Sequence, residues 1–162
     1  MVDYLSCLDK ALVETLKNKS LTITTAESCT GGMVASSIVN ISGASDIFKE
    51  GYITYSNEAK ERILGVKHET LEKYKAVSAE TAAQMAEGAV RISKADISVS
   101  VTGVAGPSKE DDKPVGLVYI GCCYKGETYV KECDLSGDRY TIRCQSTKEA
   151  LKFVLDIIKT NR

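Results

Sequence analysis

The chain has 162 residues, 43% hydrophobic and 27% charged, with a formal net charge of −1. That length suits one domain with a full hydrophobic core, and the balanced charge excludes a general nucleic-acid binder, which needs a basic face. No apolar run reaches membrane-spanning length, and Met1-Val2-Asp3-Tyr4 lacks signal-peptide character, so a cytoplasmic protein is expected.

The first predicted element is an amphipathic helix over 3–19, with Leu5, Leu8, Leu12 and Leu16 on one face. A β-branched run predicts a strand over 21–26, which gives way to Ser28. Thr30-Gly31-Gly32 then turns the chain into a helix over 30–40, broken at 41–45. Alternation predicts a strand over 51–55. Ser56-Asn57 reads as the cap of a helix over 58–64 that Gly65 ends. Ser78 reads as the cap of a long helix to about residue 91. An apolar strand over 95–102 runs into a loop, 103–114, rich in Gly, Pro and charge. Strands over 115–124 and 127–135 form a hairpin around Lys125-Gly126, and a helix over 139–158 follows. This alternation predicts an α/β layered fold: a mixed, mostly parallel sheet flanked by helices, with residues 1–162 as one domain.

Three loops that follow predicted strands carry chemistry: the Ser28 turn, Tyr52 to Lys60, and Thr102 to Pro107. Ligands of open α/β sheets gather beyond the carboxyl ends of parallel strands, so these loops are expected to meet at one edge. A serine beside a helix start has unpaired N–H groups and a positive dipole end nearby. Such donors suit the oxyanion of a nucleophilic reaction, and equally a phosphate. His68 is the single histidine and reads as a surface residue, which argues against a Ser-His-Asp triad. The available alternative is a Ser-Lys pair, with the lysine made neutral by burial and positive dipoles. Lys60, in the first turn of the 58–64 helix, suits that role, and the Tyr55 hydroxyl is placed to orient it or relay a proton. Glu27 would oppose a lowered lysine pKa if it pointed inward. Each residue also has an ordinary reading: Ser28 as a cap, Lys60 as a solvated side chain, Tyr52 and Tyr55 as packing, Gly103 and Gly106 as turn glycines. The six cysteines include no CxxC pair, which argues against structural zinc, and buried thiols are expected. Cys29, next to the predicted helix start, is the one with a route to reactivity.

Residues 25–32, Thr-Ala-Glu-Ser-Cys-Thr-Gly-Gly, resemble the signature of the CinA C-terminal domain family, which includes stand-alone nicotinamide-nucleotide amidohydrolases. The similarity continues through 51–60, 76–78, 102–107 and 113–116, then Gly137-Asp138-Arg139 and Arg143, in order over nearly the whole chain. The resemblance implies an α/β fold. It also implies hydrolysis of the carboxamide of nicotinamide mononucleotide to nicotinic acid mononucleotide and ammonia, a step of pyridine nucleotide salvage. By that likeness Ser28 is the nucleophile, Lys60 its general base and Tyr55 an assistant, with no metal or organic cofactor. Backbone N–H groups at Thr30 and Gly31 are the expected oxyanion donors. Gly32, Tyr52, Asn57, Thr102, Gly103 and Gly106 are candidate substrate contacts, with the Gly103–Gly106 turn and Arg139 or Arg143 as candidate phosphate donors. The expected partner is a small-molecule nucleotide, not nucleic acid or membrane, and a homo-oligomer, dimer or higher, is expected. The pyrophosphatase activity associated with the N-terminal domain of full-length CinA proteins is not carried over. One stretch departs from the family pattern: Ser108-Lys109-Glu110-Asp111-Asp112 stands where a glycine-rich loop is usual. Two other readings stay open, a non-catalytic nucleotide-binding or competence/damage-associated domain, and an amidase for another small carboxamide.

Overall fold

The computed structural model describes residues 4–161, and side chains from residue 7 onward. In chain order the elements are α1 (Tyr4–Lys19), β1 (Ile23–Glu27), α2 (Met33–Val39), β2 (Phe48–Ile53), α3 (Asn57–Ala59), α4 (His68–Tyr74), α5 (Ala79–Ser93), β3 (Ile97–Gly103), β4 (Leu117–Tyr124), β5 (Glu127–Asp134) and α6 (Arg139–Thr160). One sheet runs in the order β2-β1-β3-β4-β5. β1 is parallel to both β2 and β3, while β4 is antiparallel to β3 and to β5. Four of the five strands thus share one direction. The expected mixed, mostly parallel sheet flanked by helices is the observed one. No helix among the described residues is long and apolar enough to cross a membrane.

The two faces of the sheet are built from different side chains. On β3, Ile97, Val99 and Val101 enter the larger core, with Leu12 and Leu16 of α1, Val34 and Ile38 of α2, and Leu151 and Val154 of α6. This burial of aliphatic area is the main stabilising term. The alternate residues of β3 are small and polar, and they bond to the chain across the other face. Ser98 and Ser100 hydroxyls donate to the Ala86 and Ala82 carbonyls of α5 at 2.6 Å, and the Thr102 hydroxyl donates to Ala76 O at 2.8 Å. Buried hydroxyls satisfied in this way carry little desolvation penalty, and the small residues let α5 lie close to the sheet.

Several boundaries moved, each for a local reason. α2 starts at Met33 rather than residue 30 because Gly31 and Gly32 hold φ of +57° and +101°, incompatible with a helix. β2 begins at Phe48, paired with Ile23, and ends at Ile53, which leaves Tyr55 in the following loop. The expected helix over 58–64 is the three-residue α3 followed by a π-turn over Lys60–Leu64, closed by Gly65 at φ +70°. α4 has no counterpart in the sequence reading. It lacks a side-chain cap of its own, and Gln84 of α5 supports it instead, accepting from Lys67 N and donating to the Thr70 hydroxyl. The hairpin turn is as read, with Lys125 and Gly126 at φ of +53° and +78°, as a type I′ turn requires. The expected start of α1 at Asp3 and the Leu5 side chain of its stripe lie outside the described residues; Leu12 and Leu16 are fully buried.

Candidate active site

From β1 the chain goes first to β2 on one side and later to β3 on the other, so the strand order reverses at β1. The carboxyl end of the strand at such a point is where an α/β sheet opens a crevice. Ser28 stands there, half-buried, its N–H bonded to Val101 O of β3 at 2.9 Å. A cleft of about 540 Å³, open mouth included, begins at Ser28. That size is in the range of small-ligand sites. Its walls come from the ends of all three parallel strands.

The residue before the serine controls the turn after it. Glu27 is 1% exposed, and its carboxylate accepts from the N–H groups of Gly32, Val34 and Ala35 at 3.0, 3.1 and 2.9 Å. These are the unpaired donors of the first turn of α2, so the helix end receives its anion from within the chain. Glu27 points at α2 and not at the lysine. Arg143 of α6 grips the same turn from outside, donating through Nε to Cys29 O at 3.0 Å and through Nη2 to Thr30 O at 2.8 Å.

Lys60 enters the cleft from the start of the π-turn. Its side chain is 1% exposed. The Nζ lies 3.1 Å from Ser28 Oγ and 2.9 Å from Thr54 O. Among the described residues no carboxylate forms an ion pair with it. Burial therefore pushes its pKa below the ordinary 10.5, against an opposing pull from Glu110, Cys29 and Glu58. The helix-end dipole invoked from sequence is not the main cause. The wide turn is locked from α5: Arg91 donates to Leu64 O at 2.9 Å, and a Cβ on Gly88 would sit 2.0 Å from that same oxygen. Glycine at 88 is what lets the π-turn approach, and π-turns inside helices recur at functional sites.

The rim carries Tyr55, Asn57, Thr102, Gly103, Gly106 and Arg139, all lining the cleft with Ser28 and Lys60. Tyr55 is 61% exposed, and its hydroxyl accepts from Arg139 Nη2 at 2.8 Å, while Arg139 Nη1 donates to Gly106 O. The lysine is oriented by the Thr54 carbonyl, not by Tyr55 as expected. Gly103 is needed for close approach, since a Cβ there would meet Leu117 O at 2.8 Å.

Other expectations are corrected. Gly31 N–H is spent on Ser28 O at 3.0 Å and Gly32 N–H on Glu27, so neither is free for an oxyanion or a substrate. Thr30 is fully buried and does not line the cleft. Tyr52 packs against the smaller core under α5, and Arg143 is occupied by the Ser28 turn, so neither is a cleft residue. Cys29 does line the cleft, but burial pushes its thiol up to about 12, the opposite of a reactive cysteine. Its backbone N–H, adjacent to the serine, makes no hydrogen bond to another residue among the described ones and is directed at its own sulfur. His68 is exposed, 3.0 Å from Glu61, and does not line the cleft. Among the described residues no cluster of His, Cys, Asp or Glu is arranged to hold a metal. Sequence reasoning passed over Thr54, whose contribution is a backbone carbonyl and leaves no side-chain signal. It also passed over Glu110 as a cleft residue. The loop that bears it makes a two-residue turn, with Asp111 and Asp112 at φ of +48° and +60° between bridged Glu110 and Lys113.

Fold and site together define an α/β domain that aims a buried lysine at a strand-end serine where the strand order reverses. The chain belongs to the CinA family: the CinA C-terminal domain matches residues 6–158. It is similar to a CinA-like protein of Kosmotoga olearia, 53% identical over 148 residues, 91% of this chain and 36% of that protein. The chain spans about a third of the length of the curated relatives it matches. Among solved structures it is similar to a CinA superfamily protein of Escherichia coli, 36% identical with a TM-score of 0.92, covering 94% of this chain and 90% of that one. It is also similar to the competence damage-inducible protein A of Klebsiella pneumoniae, 31% identical with a TM-score of 0.94, covering 97% and 98%.

Proposed function

We propose that this domain is an amidohydrolase that cleaves the carboxamide of nicotinamide mononucleotide, giving nicotinic acid mononucleotide and ammonia. The observation that carries the reading is the Lys60–Ser28 pair: a lysine 1% exposed, 3.1 Å from a strand-end serine, with a neutral carbonyl as its other partner. A neutral amine that gives one N–H to Thr54 O keeps its lone pair for the serine proton. Ser28 Oγ then attacks the amide carbon as the proton passes to Lys60 Nζ. The Cys29 N–H, next after the nucleophile, is the donor available to the oxyanion. Lys60 returns the proton to the leaving nitrogen, ammonia departs, and water attacks the acyl-enzyme with Lys60 again as base. Arg139 on the rim suits the nucleotide phosphate, with Tyr55 holding its guanidinium. The substrate is a small cytoplasmic nucleotide, and a homo-oligomer is the proposed assembly.

The test is ammonia release from nicotinamide mononucleotide by the wild type, Ser28→Ala and Lys60→Met, with free nicotinamide as a second substrate. Release by the wild type alone, and from the nucleotide alone, is expected. Release by Ser28→Ala at the wild-type rate would overturn the mechanism.

A further inference from the structure

Of the three charged residues that line the cleft, Lys60, Glu110 and Arg139, the proposed chemistry leaves Glu110 without a task. Glu110 lies on the cleft wall with Ser28 and Lys60. Its backbone is pinned, with Lys113 N donating to Glu110 O at 2.8 Å across the Asp111-Asp112 turn. Glu110 is exposed at the mouth of the cleft, and its carboxylate has no hydrogen-bond or ion-pair partner among the described residues. The other two of the three are basic and engaged: Lys60 with Ser28 and Thr54, Arg139 with Tyr55 and Gly106.

A lone carboxylate here works against the reaction as it stands. Of the charged neighbours, Glu110 exerts the strongest pull toward the ammonium form of Lys60, which is not a base. A cation bound between them reverses both effects: it neutralises Glu110, and it repels a proton on Lys60. The nicotinamide ring of a mononucleotide supplies such a cation, because a pyridine nitrogen bonded to ribose carries a fixed positive charge close to the carboxamide.

We propose that Glu110 is the specificity residue of this site, pairing with a positive charge on the substrate ring, so that the cleft selects a carboxamide on a cationic pyridinium over the same carboxamide on an uncharged ring. This rests on the amidohydrolase reading above. It also gives the acidic loop a function that a glycine-rich loop at the same place does not have.

The experiment compares nicotinamide mononucleotide with its dihydro form, which has the same phosphate, ribose and carboxamide but a neutral ring. The readout is the ratio of the two kcat/KM values, in wild type and Glu110→Gln. The ratio cancels any general change in the basicity of Lys60. The expected result is a fall in that ratio of roughly tenfold, the size of one partly solvated charge pair. In parallel, Ser28→Ala and Ser28→Ala/Glu110→Gln are titrated calorimetrically with the same two ligands, which tests charge preference without turnover. An unchanged ratio with active enzyme overturns the role of Glu110 and leaves the amidohydrolase reading standing. Charge-selective binding that Glu110→Gln removes, without ammonia release from the wild type, supports Glu110 and overturns the reading of function. Neither turnover nor charge-selective binding overturns both.

Discussion

Glu27 and Lys60 are both 1% exposed, and the fold treats the two charges in opposite ways. The Glu27 carboxylate is surrounded by three backbone N–H groups at the start of α2, so its desolvation is offset by charge-assisted hydrogen bonds. Lys60 is given two neutral oxygens and no counter-ion in contact, and its pKa falls. The first arrangement makes the nucleophile turn rigid. The second keeps a buried amine short of partners, which costs stability and yields a base. Structural and functional buried charges are therefore separable by counting what each is bonded to.

The sharpest way to break this contrast is to remove the lysine. Lys60→Met is expected to lower ammonia release at least about 10³-fold. It should nonetheless raise stability at pH 7 by about 1 kcal/mol, because an apolar group replaces an undercompensated charge. Between the lowered native pKa and 10.5, the unfolded chain binds more protons at Lys60 than the folded one. The contribution of Lys60 to stability therefore rises with pH through that window, and the advantage of Lys60→Met in urea melts should shrink as pH approaches 10.5. The rate should climb with pH through the same lowered pKa. A flat profile with chemistry rate-limiting would remove the lysine base from the mechanism.

Removing the other charge should do the reverse. Glu27→Ala strands the α2 donors and is expected to destabilise by about 2–4 kcal/mol, read from denaturant midpoints. Equal stability to wild type would mean that water replaces the carboxylate without loss. Gly88→Ala drives a methyl into Leu64 O and displaces the π-turn that carries Lys60. A loss of about 1–3 kcal/mol is expected, outweighing the usual gain of alanine over glycine in a helix. A fall in kcat should accompany it. The smallest effect concerns Cys29: its thiol stays protonated, so brief iodoacetamide treatment at pH 8 should label the exposed Cys7 and leave Cys29 unmodified by mass spectrometry.

Much of the architecture was legible in the residues because its signals are local. Ser78 caps α5 by accepting from Thr81 N, and Ser56 caps α3 by accepting from Ala59 N, both at positions read as caps. Lys125-Gly126 carries its turn chemistry in its own backbone preferences. α4 was not legible, since its support comes from Gln84, far along the chain. The site divides in the same way. Ser28 at a strand end before two glycines, and Lys60 in the loop after the next strand, are readable as a pair. Arg143 is not readable as the clamp of the Ser28 turn, because its partners are carbonyls over a hundred residues away.

By itself the sequence determined which residues stand at strand ends, which turn and which cap, since these depend on a few neighbouring dihedrals and side chains. Only the tertiary structure decided that Lys60 is buried against Ser28, that Glu27 turns to α2, and that Glu110 lines the cleft. Burial and partner choice are properties of the space between elements, and that space exists only once the sheet, α5 and α6 have closed around it.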